Sequence, residues 1–130
     1  MIEITYGSRE PPSLTIRGHS GYSTHGTDIV CASVSALFLT LVNSLNEYTN
    51  DIVQVRTEPG DGALIWRGQC SKSARLLLDS CLLGLRAVAE LYPDYVSFTV
   101  DWDGKPSFFI TQFRGAAGVD PQQSYGNWQA

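Results

Sequence analysis

Residues 18–35 read GHSGYSTHGTDIVCASVS and hold the only two histidines of the chain, His19 and His25, together with the first of its three cysteines, Cys31. Three chemistries suit such a stretch. Two imidazoles, a thiol and the Asp28 carboxylate are a donor set that zinc accepts. A thiol with a histidine in reach is a nucleophile with its base. The third option is an ordinary loop running into a buried helix. Structural zinc sites favour tighter pairs such as C-x2-C, and an aspartate before a helix commonly caps it. No metal and no other cofactor is therefore expected.

The elements around the stretch decide where each side chain sits. IEITY (2–6) and SLTIRG (13–18) alternate apolar and polar residues, as half-buried strands do, and GSREPPS between them is a turn. His19 therefore ends a strand, which is a firm platform for a base. His25 lies between Gly21 and Gly26 in a loop suited to moving, where it touches substrate or only solvent.

From Asp28 the apolar residues Val30, Val34, Leu37, Phe38, Leu41, Val42 and Leu45 recur at helical spacing for about 18 residues. At 100° per residue from Asp28, Cys31 falls at about 300° and Ser35 at about 340°, beside an apolar stripe centred near 240°. Asp28, Cys31 and Ser35 form one polar file along the edge of the buried face. Cys31 opens the helix, where unpaired N–H groups and the dipole favour a thiolate. Asp28 caps the helix, orients His19, or does both. Ser35 faces the thiol or bonds its own helix backbone. Cys81 sits inside a continuous apolar stripe and reads as a packed hydrophobe, and Cys70 as structural.

The rest of the chain completes the frame. EYTND (47–51) ends the first helix, and IVQVRT (52–57) and ALIWRGQ (63–69) are strands joined by EPGDG with its Asp-Gly turn signal. A second helix capped by Ser71 or Ser73 runs to Pro93, and YVSFTVD (95–101) is a further strand. A turn at Asp103-Gly104 would fold PSFFITQF back as an edge strand. The order β-β-α-β-β-α-β implies an α+β fold: a mainly antiparallel sheet of five to six strands with two helices packed on one face. The same order also admits a mixed sheet. Residues 1–114 are expected to form one domain and 115–130, rich in Gly, Gln and Ser, a loose tail.

Composition narrows the function. The chain has 130 residues, 43% hydrophobic and 17% charged, with a net charge of −4. Its nine basic residues are scattered, so it offers no phosphate-neutralising surface for DNA or RNA, and a basic protein segment suits it better. MIEITYGSRE lacks a signal-peptide pattern, and the apolar runs read as short and interrupted, so no membrane span is expected. Three cysteines without a secretory context point to free thiols in the cytoplasm.

The stretch also resembles the signature of the ribosomal-processing cysteine proteases of Gram-positive and related bacteria, the Prp family. In outline that signature is GH, a glycine-containing loop, then G-x-D-I-V-C-A-x-V-S. Gly18, His19, Gly26, Asp28, Ile29, Val30, Cys31, Ala32, Val34 and Ser35 meet it here, and the resemblance spans about residues 1–101. It implies a Cys–His dyad endopeptidase, usually a homodimer, that removes the N-terminal extension of a large-subunit ribosomal protein after a hydrophobic, aromatic-containing motif. Cys31 would be the nucleophile, His19 its base, and Asp28 and Ser35 supporting residues. The loop 20–27, with Gly18 and its glycines Gly21 and Gly26 and with His25, would close over substrate. Ser20 and Ser33 stand where many members have alanine. The tail beyond about residue 102, with Trp102, Phe108, Phe109 and Trp128, exceeds the family pattern, so a related phage structural protein is a second substrate to weigh. The rival class is a ribosome- or protein-binding module of the same fold with an incidental thiol.

Overall fold

The structure, a computed structural model, describes residues 1–24, 26–102 and 105–106. Six strands and two helices follow in the order β1 (Ile2–Gly7), β2 (Ser13–Arg17), α1 (Ile29–Tyr48), β3 (Val53–Glu58), β4 (Asp61–Trp66), α2 (Lys72–Leu91), β5 (Val96–Trp102) and β6 (Lys105–Pro106). The α+β class, the element order and the mainly antiparallel sheet expected from the sequence are all present. The strands form one sheet in the order β3-β4-β2-β1-β5-β6. One pair is parallel: β1 lies beside β5, with Ile4 opposite Phe98. The sheet is therefore mixed, because α2 carries the chain back across it before β5 enters.

Period-two alternation decides which face each strand buries. Ile2, Ile4 and Tyr6 of β1, Leu14 and Ile16 of β2, Leu64 and Trp66 of β4, and Val96 and Val100 of β5 all enter one core. Val30, Val34, Phe38, Leu41 and Leu45 of α1 and Ala74, Leu78, Cys81, Leu82 and Leu85 of α2 cover it. Truncating one of these leucines to alanine costs about 2–5 kcal/mol. By length and composition α1 would also cross a membrane, with a mean hydropathy of 1.7, and the interruption expected from the sequence amounts to little. Its buried stripe makes it the core helix of this sheet.

Helix starts follow their caps. Asp28 Oδ1 accepts the N–H groups of Val30 and Cys31, and Ser71 Oγ accepts that of Ala74, so Ser71 rather than Ser73 caps α2. Asp51 ties the two halves by accepting from Trp66 Nε1 and from the Ser71 N–H.

One turn differs from expectation. Asp61-Gly62 was expected to make the β3–β4 turn, with β4 starting at 63, but Glu58 pairs with Asp61 and the turn is Pro59-Gly60. Gly60 takes φ +70, and Gly62 stays in the strand because Phe38 packs where its side chain would be. Arg56 and Asp61 close the hairpin with an ion pair at 2.9 Å.

β6 pairs antiparallel with β5, with Trp102 opposite Lys105. The Asp103-Gly104 step, the rest of PSFFITQF, the domain end at 114 and the 115–130 tail lie outside the described residues.

Candidate active site

β2 delivers the first side chain. Gly18, just past its end, has φ +95 and donates its N–H to the Gly60 carbonyl at 2.9 Å. A Cβ on Gly18 would stand 2.3 Å from the Met1 carbonyl oxygen, so only glycine makes this turn. The turn presents His19, exposed, against the β3–β4 hairpin. A Cβ on Gly60 would lie 2.7 Å from His19 Nε2, so the bare backbone of that turn is the imidazole's seat.

Helix α1 delivers the second. Cys31 is half-buried in its first turn, with its N–H on Asp28 Oδ1 at 3.0 Å. Its sulfur accepts the Ser20 N–H at 3.4 Å and lies 3.7 Å from Ser20 Oγ. Asp28 is buried and takes four donors: Val30 and Cys31 N–H on Oδ1, Ser20 hydroxyl and Ser23 N–H on Oδ2. The Ser20 hydroxyl above all, then these backbone amides, hold its carboxyl down at about 2 against the opposing effect of burial. Asp28 thus caps the helix and also grips the loop root at Ser20 and Ser23.

His19, Asp28, Cys31, Ser35 and Gly26 line one open cavity of about 720 Å³. Ile2, Ile16, Val34, Phe38 and Leu39 give it an apolar side, and residues 57–62 of the β3–β4 hairpin form the far wall. Ser33 and Thr40 donate their hydroxyls to their own helix backbone, whereas Ser35 stands exposed at the cavity. Gly21 and Gly26 both have positive φ with open space around them, so backbone shape sets their identity. His25 lies outside the described residues. Among the described residues no three His, Cys, Asp or Glu side chains converge as metal ligands do.

The other thiols sit elsewhere. Cys81 is buried, donates to the Leu37 carbonyl at 3.5 Å and is pushed up to about 12 by burial. Burial also raises Cys70, with Arg75 opposing. Both match their structural reading.

Three participants had escaped sequence reasoning. Ser20 was noted only as a departure from alanine, yet it is buried at 4% exposure between Asp28 and Cys31. The Gly60 turn, forty residues downstream, carried no signal beyond its Pro-Gly. Tyr22 anchors the loop by edge-to-face contacts with Tyr92 and Tyr95, centroids at 5.7 and 5.1 Å.

This geometry has counterparts in known proteins. The family model described as Cysteine protease Prp matches residues 1–97. Among solved structures, the essential ribosomal processing protease Prp from S. aureus with a covalently linked product peptide aligns at a TM-score of 0.73, with 22% identity, over 78% of this chain and all of that one. The same S. aureus protease with a substrate peptide aligns at 0.68, with 21% identity and the same coverage. SMU.848 from Streptococcus mutans aligns at 0.65, with 30% identity, over 77% of this chain and 93% of its own. No curated protein sequence matches the chain. Because the family match takes in the entire cavity wall from Ile2 to Gly62, the chain belongs to the cysteine protease Prp family.

Proposed function

We propose that this cysteine protease is an endopeptidase working through a Cys31–His19 dyad on a ribosomal protein precursor. The observation that carries the reading is that Cys31, at a helix start, and His19, at a strand end, line one cavity with an apolar side. His19 takes the Cys31 proton, and the thiolate attacks the scissile carbonyl. The tetrahedral intermediate collapses to a thioester as His19 protonates the leaving amine, and water then releases the acyl group. Asp28 occupies the Val30 and Cys31 N–H groups at the start of α1, so the oxyanion takes its donors from elsewhere beside the thiol. Asp28 fixes the helix start, and Ser35 lies one turn further along the substrate path.

The substrate is the N-terminal extension of a large-subunit ribosomal protein, cut after a hydrophobic, aromatic-containing motif. The apolar side made by Ile16, Val34, Phe38 and Leu39 supports such a side chain N-terminal to the cut. The family resemblance further supports a cytoplasmic homodimer that uses no cofactor.

Incubation of wild-type protein and Cys31→Ala with a peptide spanning the extension tests the reading. Cleavage by wild type alone supports it. A peptide that binds both proteins and stays intact makes the chain a binding module, and cleavage of a phage structural precursor in its place moves the substrate assignment.

A further inference from the structure

A hydroxyl has one proton, and in Ser20 that proton is committed. Its Oγ donates to Asp28 Oδ2, leaving only lone pairs for its other neighbours. One of these is the Tyr22 N–H at 3.1 Å, and the other is the Cys31 sulfur at 3.7 Å. The contact with sulfur is therefore S–H to oxygen, an arrangement that suits a neutral thiol. A thiolate in the same place would face those lone pairs and keep a single donor from this residue, the Ser20 N–H at 3.4 Å.

We propose that Ser20 is a positioning residue whose hydroxyl, locked to Asp28, holds Cys31 as a protonated thiol while the loop is seated. This rests on Cys31 being the nucleophile. Tyr22 links the same oxygen to the loop, whose ring is anchored on Tyr92 and Tyr95. Ionisation of the thiol requires the Ser20 hydroxyl to leave Asp28 and turn its proton toward sulfur. The thiol proton then passes to His19, giving thiolate and imidazolium.

The ionisable groups around Cys31 are Asp28 at its own helix start, His19 at the end of β2, and Glu58 and Asp61 on the cavity's far wall. Asp61 is paired with Arg56. Two effects compete when the Ser20 hydroxyl is removed. The thiol loses its acceptor and the thiolate loses a facing lone pair, which favours ionisation. Asp28 loses one donor, which disfavours it. Ser20 is the donor that lowers the Asp28 carboxyl most, but Asp28 keeps the three N–H groups of Ser23, Val30 and Cys31, and in the proposed balance the direct contact at sulfur outweighs that loss.

The test is the pH dependence of iodoacetamide alkylation at Cys31, read by mass spectrometry. In Ser20→Ala the midpoint should fall by about half a unit to one unit, up to about tenfold more thiolate below it. Ser20→Thr, which keeps the hydroxyl, should retain the wild-type midpoint. Ser20→Gly removes the same hydroxyl and serves if the alanine variant does not fold. An unmoved or raised midpoint overturns the proposal, even if alkylation becomes uniformly faster through easier access. Alkylation needs no peptide substrate, so a failure to cleave the ribosomal peptide would sink the substrate reading and leave this result standing.

Discussion

His19 rests on Gly60. The imidazole occupies space that a Cβ at that turn would invade, with Nε2 only 2.7 Å from it. The proposed base is thus held by a hairpin forty residues away as well as by its own strand. Gly60→Ala should displace His19 and, because φ is +70, cost about 1–2 kcal/mol of stability. Peptide turnover should fall about 10- to 100-fold at a temperature where the variant is fully folded. Turnover equal to wild type under those conditions would show that the seat does not matter.

Asp28 carries a pH signature. Its carboxyl is depressed to about 2 from 3.8, so it stabilises the fold above the higher value and loses that contribution as pH falls through the lower one. Acid unfolding should therefore be steeper between about pH 4 and 2 in wild type than in Asp28→Asn, which can still cap through Oδ1. Urea melts across that range give the comparison. Parallel stability curves for the two proteins would refute it.

The three thiols should separate by reactivity. Iodoacetamide at neutral pH should label Cys31 first, since burial raises Cys70 and pushes Cys81 up to about 12. Labelling of Cys31 should drop in His19→Ala. If Cys70 reacts as fast as Cys31, helix position and histidine confer no special reactivity.

Most of the frame was legible because it is local. Alternation gave β1 and β2, helical spacing gave α1 and α2, and the position of Asp28 before that spacing gave the cap that puts Cys31 in the first turn. What escaped lies in contacts between distant or overlooked residues. Nothing in the spacing says that Asp28 spends its second oxygen on Ser20, eight residues back. Asp61-Gly62 is the stronger local turn signal, yet Phe38 needs the space over Gly62 and Gly60 needs positive φ, so tertiary packing moved the turn. The parallel β1–β5 pair was one of two drawings the element order allowed, and register settled it.

The Tyr22 anchor should matter more for turnover than for stability. Tyr22 is 43% exposed, and each edge-to-face contact of its ring is worth about 0.5–1.5 kcal/mol. Tyr22→Ala should shift the thermal midpoint by only a few degrees. The same variant should speed amide exchange across residues 20–24 and lower kcat/KM severalfold, about the loss expected for a loop that closes over substrate. Unchanged exchange in that segment would mean that Tyr92 and Tyr95 do not hold the loop.

The dyad itself is open to a covalent readout. Wild-type protein mixed with the ribosomal-extension peptide, quenched in acid and digested, should yield the N-terminal half of the peptide as a thioester on Cys31. Its C-terminal half should appear free, and neither product should form with Cys31→Ala. An acyl group on Cys70, or cleavage that survives in Cys31→Ala, would contradict the assignment of the nucleophile.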